Sequence, residues 1–220
     1  MQRTALIFDL DGTLVDSVYE HVAAWHRAVA EHGITIPAFE YHKRVGMTGE
    51  TLVDAISDAF ELDLSQSART EIERAHSRAY HERIDAATGL PGIEQLWRTL
   101  AQRKVPWAIA TSADPGDAKT LLAKIAPPRD VVLVTKAAGG TSKPAPDTFS
   151  EAAEKLGVQL GESMIVGDSV WDMLASRRAG ALGVGVLTGG YGREELVAAG
   201  AYRVYQDVVE MARRFDELGL

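Results

Sequence analysis

Residues 5–8 (ALIF) form an unbroken apolar run that ends abruptly in Asp9, Leu10, Asp11, Gly12 and Thr13. This is the pattern of a strand buried on both faces that runs into a polar turn. Behind the turn the period changes. Val18, Val22, Trp25 and Val29 recur at the spacing of one buried helix face over residues 17–32, with Ser17 as candidate N-cap and Gly33 and Pro37 as stop signals. Three more helices are predicted over 38–45, 48–60 and 65–87, the first two divided by Gly46 and Met47. No strand pattern interrupts residues 17–87, and every histidine of the chain falls inside them.

From Gly89 onward helices and short apolar strands alternate. Helices are predicted over 92–103, 115–125, 146–156, 170–179 and 193–199, with a closing helix at the end of the chain. The strands between them are predicted over 105–111, 131–135, 163–167, 182–187 and 202–205. Such alternation implies right-handed βαβ crossovers and a parallel sheet. The expected fold class is therefore α/β, a Rossmann-like parallel sheet with helices on both faces. Residues 1–16 and 88–220 would form its core domain, and residues 17–87 an inserted all-helical domain.

Composition narrows the function classes. The chain has 220 residues, 46% hydrophobic and 25% charged, enough for a large core. A formal net charge of -8 with no Lys/Arg cluster argues against a nucleic-acid surface. The absence of cysteine excludes disulfides, zinc-thiolate sites and thiol nucleophiles. The apolar run before Asp9 is too short for a signal peptide or membrane helix, so the expectation is a cytoplasmic protein without a membrane partner. With no evident apolar surface stripe, a monomer is expected, a homodimer being the alternative.

Candidate chemistry lies at the ends of the predicted strands. Thr111 and Ser112 close AIATS, Lys143 and Pro144 sit in GGTSKPAPD, and Asp168 and Asp172 belong to GDSVWD. In a parallel sheet these ends share one edge, so Asp9, Asp11, Thr111, Lys143, Asp168 and Asp172 can converge. The set suits phosphoryl transfer through an aspartyl phosphate. A carboxylate of ordinary pKa is ionised at neutral pH, so Asp9 can attack phosphorus without a separate base. Mg2+ on Asp9, Asp168 and a turn carbonyl would offset the repulsion between two anions. Lys143 and Thr111 would hold the other phosphate oxygens. Asp11 is the candidate proton donor, with crowding by other carboxylates expected to raise its pKa. Asp172, one helical turn beyond Asp168, would pair with Lys143 or a metal-bound water.

The segments DLDGT, TS, KP and GDSVWD resemble the four ordered motifs of the haloacid dehalogenase superfamily, and their spacing covers the whole chain. The helical insertion resembles the small cap of its phosphoglycolate-phosphatase and β-phosphoglucomutase branch. The resemblance implies Asp9 as nucleophile and Asp11 as acid/base. It implies phosphate binding by Asp11, Gly12, Thr111, Ser112 and Lys143. Magnesium would be held by Asp9, the Asp11 carbonyl and Asp168, with Asp172 in support. The implied activity is hydrolysis of a small phosphomonoester of the phosphoglycolate or sugar-phosphate type.

Two alternatives compete. His21 and Trp25 resemble a pair on the first cap helix of the mutase, although core packing is their simpler reading. Where mutases carry a lysine and an arginine around the cap glycine, this chain has Val45, Gly46, Met47, Thr48 and Gly49, with Arg44 as a compensating cation. A non-catalytic phosphometabolite-binding protein would have lost Asp9, Lys143 or Asp168, and none is lost. A dehalogenase would lack Asp11. Substrate choice is expected to rest on His21, Trp25, Arg44, Met47 and Thr48. Tyr191 is read simply as part of a glycine-marked turn.

Overall fold

The computed structural model describes residues 4–135 and 143–220. In chain order the strands are β1 (Leu6–Phe8), β2 (Val15–Asp16), β3 (Thr88–Gly89), β4 (Trp107–Ala110), β5 (Val132–Val134), β6 (Met164–Gly167), β7 (Leu182–Val186) and β8 (Ala201–Tyr205). The helices are α1 (Val18–Ala30), α2 (Ala38–His42), α3 (Gly49–Ala59), α4 (Gln66–His81), α5 (Ile93–Arg103), α6 (Pro115–Ile125), α7 (Asp147–Leu156), α8 (Val170–Arg178), α9 (Arg193–Ala199) and α10 (Val208–Arg213).

Six strands pair in parallel in the order β5-β4-β1-β6-β7-β8. Leu6, Ile7 and Phe8 lie opposite Trp107, Ala108 and Ile109 on one side and Met164, Ile165 and Val166 on the other. The chain builds the sheet outward from β1 in one direction through β4 and β5, and in the other through β6, β7 and β8. The order therefore reverses at β1, and a crevice opens at the carboxyl ends of the strands there.

Alternation along β1 assigns its side chains to two cores. Leu6 and Phe8 pack with Leu96, Leu121 and Met211 of α5, α6 and α10, whereas Ile7 packs with Phe149, Ala152 and Ala175 of α7 and α8. Helices thus cover both faces, as a parallel sheet requires. Helices α1 to α4 enclose a separate core around Trp25, Leu52, Ile56 and Ile72. Ala24, Ala79 and Tyr80, on the same α1 and α4, join the sheet core instead.

Three expectations need correction. Helix α4 stops at His81 instead of running to residue 87, and a 3-10 turn, Ile84–Ala86, leads into β3. No Gly or Pro marks that end, because antiparallel pairing of Thr88 with Asp16 and Gly89 with Val15 decides it. That ribbon itself was not predicted, two-residue strands being too short to show a period. Helix α2 ends at His42, short of the expected residue 45. Among the described residues no helix is long and apolar enough to cross a membrane.

Candidate active site

Asp9 follows β1 directly. Its N–H donates to the Val166 carbonyl at 2.8 Å, which extends the β1–β6 pairing and fixes the carboxylate at the strand end. The chain then turns about the Leu10 carbonyl, which accepts the N–H groups of Thr13, Leu14 and Val15 at 3.3, 2.9 and 3.0 Å. Gly12 has a φ of +75°, and a Cβ on it would lie 2.4 Å from Asp168 Oδ2. Only glycine meets both conditions. Gly189, in the turn after β7, approaches the same carboxylate even more closely, since a Cβ there would lie 1.7 Å from Oδ2.

The buried centre is a chain of ion pairs. Lys143 Nζ lies 2.6 Å from Asp9 Oδ1 and 2.8 Å from Asp172 Oδ1. The second oxygen of Asp172 accepts the Ser169 hydroxyl at 2.6 Å and its N–H at 3.1 Å, in a capping box that opens α8. The Thr13 hydroxyl donates to Asp168 Oδ1 at 2.9 Å. Asp11 has different partners. The Ser17 hydroxyl donates to its Oδ1 at 2.6 Å, His21 Nε2 lies 3.5 Å from the same oxygen, and the Thr111 hydroxyl lies 3.5 Å from Oδ2.

These surroundings set the proton affinities. Burial first, then the charges of Asp172 and Asp11, raise Asp9 against the opposing pull of Lys143, to about 7. Asp168 is pushed well above the usual carboxylate range by burial and by Asp172 and Asp9. Burial lowers Lys143, but Asp172 and Asp9 outweigh it, so the ammonium is held above its ordinary value. Burial also pushes Asp11 upward. The hydrogen bond and charge of His21, with the Ser17 hydroxyl, outweigh it and hold Asp11 below the carboxylate norm. The sequence-based expectation put the raised carboxyl at Asp11; the structure puts it at Asp9, because the neighbours of Asp11 are donors.

One oxygen each of Asp9, Asp168 and Asp172 lies within 4.8 Å of the other two, all three residues buried. Hard carboxylate oxygens facing one another suit a hard divalent cation such as Mg2+, and burial, together with the charges of neighbouring carboxylates, holds two of the three carboxyls above their normal pKa. The donor set therefore fits the ion expected from the motifs.

Of the residues singled out from sequence, Asp9, Asp11, Gly12, Thr111, Lys143, Asp168 and Asp172 meet here. Ser112, His21, Trp25, Met47 and Thr48 line an adjoining cavity of about 160 Å³ between the strand ends and α1 to α4. Arg44 is not brought in: its guanidinium bonds the Glu40 carbonyl at 2.8 Å and carboxylate at 2.6 Å. Ser17 makes no side-chain cap on α1, and its hydroxyl serves Asp11 instead. Thr13, Ser17 and Gly189 were missed as site residues, since local sequence offers each an ordinary turn or cap role. His76, which also lines the cavity, was missed too, although the gathering of all histidines in residues 17–87 was a usable signal.

Residues 4–180 match the haloacid dehalogenase-like hydrolase family. The chain is 30% identical to a phosphoglycolate phosphatase of Rhodospirillum rubrum, over 94% of this chain and 88% of that protein. It is 29% identical to hexitol phosphatase A of Escherichia coli, over 82% and 81% of the two chains. A crystal structure of a hydrolase from Pseudomonas syringae superposes with a TM-score of 0.92 at 37% identity, covering 98% of this chain and 99% of that one. By motif, fold and similarity, the chain belongs to the haloacid dehalogenase-like hydrolases.

Proposed function

We propose that the protein is a Mg2+-dependent phosphatase that hydrolyses a small phosphomonoester through a phosphoaspartate on Asp9. The observation that carries this reading is the pairing of a buried Asp9 with Lys143 beside Asp168 and Asp172, at the crevice of a parallel sheet. Phosphatases among the relatives, of phosphoglycolate and hexitol phosphates by name, support the same class.

Asp9 would attack phosphorus; its Oδ–P bond forms as the ester P–O bond breaks. Asp11 would give a proton to the departing alkoxide, then take one from the water that attacks the acyl phosphate, releasing phosphate and restoring Asp9. The low proton affinity of free Asp11 suits this order, since an arriving phosphate dianion raises it and loads the proton only with substrate present. Lys143, Thr111 and Ser112 would hold non-bridging oxygens. Asp9 and Asp168, with the Asp11 carbonyl and Asp172 in support, would hold Mg2+, and its positive charge would favour the Asp9 carboxylate and offset its repulsion from the substrate.

Residues 17–87 act in this reading as a cap that supplies the wall facing the leaving group and excludes water during the first step. Among the described residues of the cavity wall no Lys or Arg is present to retain a second phosphate, which favours hydrolysis over the mutase alternative. A cytoplasmic monomer completes the proposal.

The test is steady-state hydrolysis of a panel of phosphate esters, including p-nitrophenyl phosphate, with and without Mg2+. Turnover is expected only with the metal, and Asp9→Asn should lower kcat by about 10³-fold or more with the fold intact by circular dichroism. Normal turnover by Asp9→Asn would remove the nucleophile assignment.

A further inference from the structure

The phosphate motifs are silent about the leaving group, but the cavity beyond them is not. Its outer wall is built from Trp25 of α1, Glu73 and His76 of α4, and Asp114 and Asp117 at the start of α6. The Trp25 and His76 rings stack with centroids 3.8 Å apart and planes 11° apart; His21 and Tyr80 stack in the same way at 3.8 Å and 10°. Burial, with the charges of His21 and His81, holds His76 well below its ordinary pKa, so the His76 ring is uncharged at pH 7. Asp117 lies 2.7 Å from His81 Nε2, and Glu73 packs beside Gly49. Arg44, the notable cation of this region, is engaged by Glu40.

We propose that the leaving group is a short polyhydroxy chain, uncharged or amine-bearing, and that Glu73, Asp114 and Asp117 exclude esters with a second anionic group. This inference rests on the phosphatase reading. A cavity of about 160 Å³ is roughly the size that admits one benzene ring, so it holds a phosphate with a few carbons. A terminal carboxylate would face the half-buried Glu73 and Asp117 and the exposed Asp114, and like charges repel more strongly where water is partly excluded. Hydroxyl or ammonium groups find acceptors in the same three side chains, and the C–H face of the chain can pack on the stacked rings. Discrimination here works by repulsion of the wrong ester as well as attraction of the right one.

Three esters share a two-carbon chain and carry an anionic, a neutral and a cationic end group: phosphoglycolate, 2-hydroxyethyl phosphate and O-phosphoethanolamine. The hydroxyl and amine esters are expected to exceed phosphoglycolate in kcat/KM by about tenfold or more. Glu73→Gln, or Asp114→Asn if the first fails to fold, should narrow that ratio by about threefold. Equal or preferred hydrolysis of phosphoglycolate by the wild-type protein overturns the proposal. Should no ester be turned over, p-nitrophenyl phosphate included, the phosphatase reading falls, and calorimetric binding of the same three esters to Asp9→Asn still decides this one. The same order of affinity supports it, and tighter binding of phosphoglycolate refutes it.

Discussion

Asp9 and Asp11 stand two residues apart and are held in opposite electrostatic conditions, one raised by burial and one lowered by donors. The difference comes from partners distant in the chain. Lys143 reaches Asp9, and Thr13 reaches Asp168 across 155 positions. Residue types at the strand ends and in the loops behind them announce the acids and the lysine, since phosphoryl chemistry needs those types. The hydroxyls that orient them did not announce themselves, because a threonine in a turn and a serine before a helix have sufficient local reasons to be there. His76 has the clearest pH signature at this scale. Its folded-state pKa lies well below 6.5, so as pH falls through 6.5 the unfolded chain takes up a proton that the folded chain refuses. The stability linked to this group is thus fully present above about pH 6.5 and is lost progressively below it. His76→Gln should flatten the fall in unfolding free energy between about pH 7 and pH 5, measured by urea titration. An unchanged slope would assign the acid sensitivity to another group.

Among elements, the end of α2 is the joint that matters most for the site. The Trp171 indole N–H and the Tyr191 hydroxyl both donate to the Lys43 carbonyl, at 3.0 and 2.9 Å, and His42 Nε2 lies 2.8 Å from the Gly189 carbonyl. These bonds tie the helical segment to the rim formed by α8 and the turn after β7. Tyr191→Phe leaves Lys43 with one donor. At about 1 kcal/mol for such a bond, amide exchange at residues 43–47 should quicken about fivefold, read by hydrogen-exchange mass spectrometry. Exchange at the wild-type rate would show that the joint does not depend on that hydroxyl. Element ends were legible where the sequence carries a physical stop. Proline at the start of α6 and Gly200 after α9 place those ends where they were expected. The end of α4, set by a strand partner some seventy residues away, was not. Tyr191, read as an incidental part of a glycine turn, proved to be half of a contact that only the folded chain brings together.

At the scale of the whole molecule, alternation of helix and strand was enough to foresee a parallel sheet, and position after β1 was enough to foresee a helical insertion. Which strands flank β1 was not legible, because strand order depends on packing over both faces and leaves no period in the chain. Yet that order is what sets Asp9 between Thr111 and Asp168. The ribbon of β2 and β3 has a further consequence. With Asp16 opposite Thr88, the chain enters and leaves the helical segment at adjacent points, and we expect the intervening segment to be exchangeable as a unit. Its replacement by the corresponding segment of hexitol phosphatase A, with Ala24, Ala79 and Tyr80 retained where they seal the sheet core, should preserve Mg2+-dependent turnover of p-nitrophenyl phosphate. The chimaera's relative kcat/KM across sugar phosphates should follow the donor; retention of this chain's own order would place selectivity in the sheet. Selectivity that follows the donor would mean that recombination at one narrow seam changes what such an enzyme accepts without touching how it reacts.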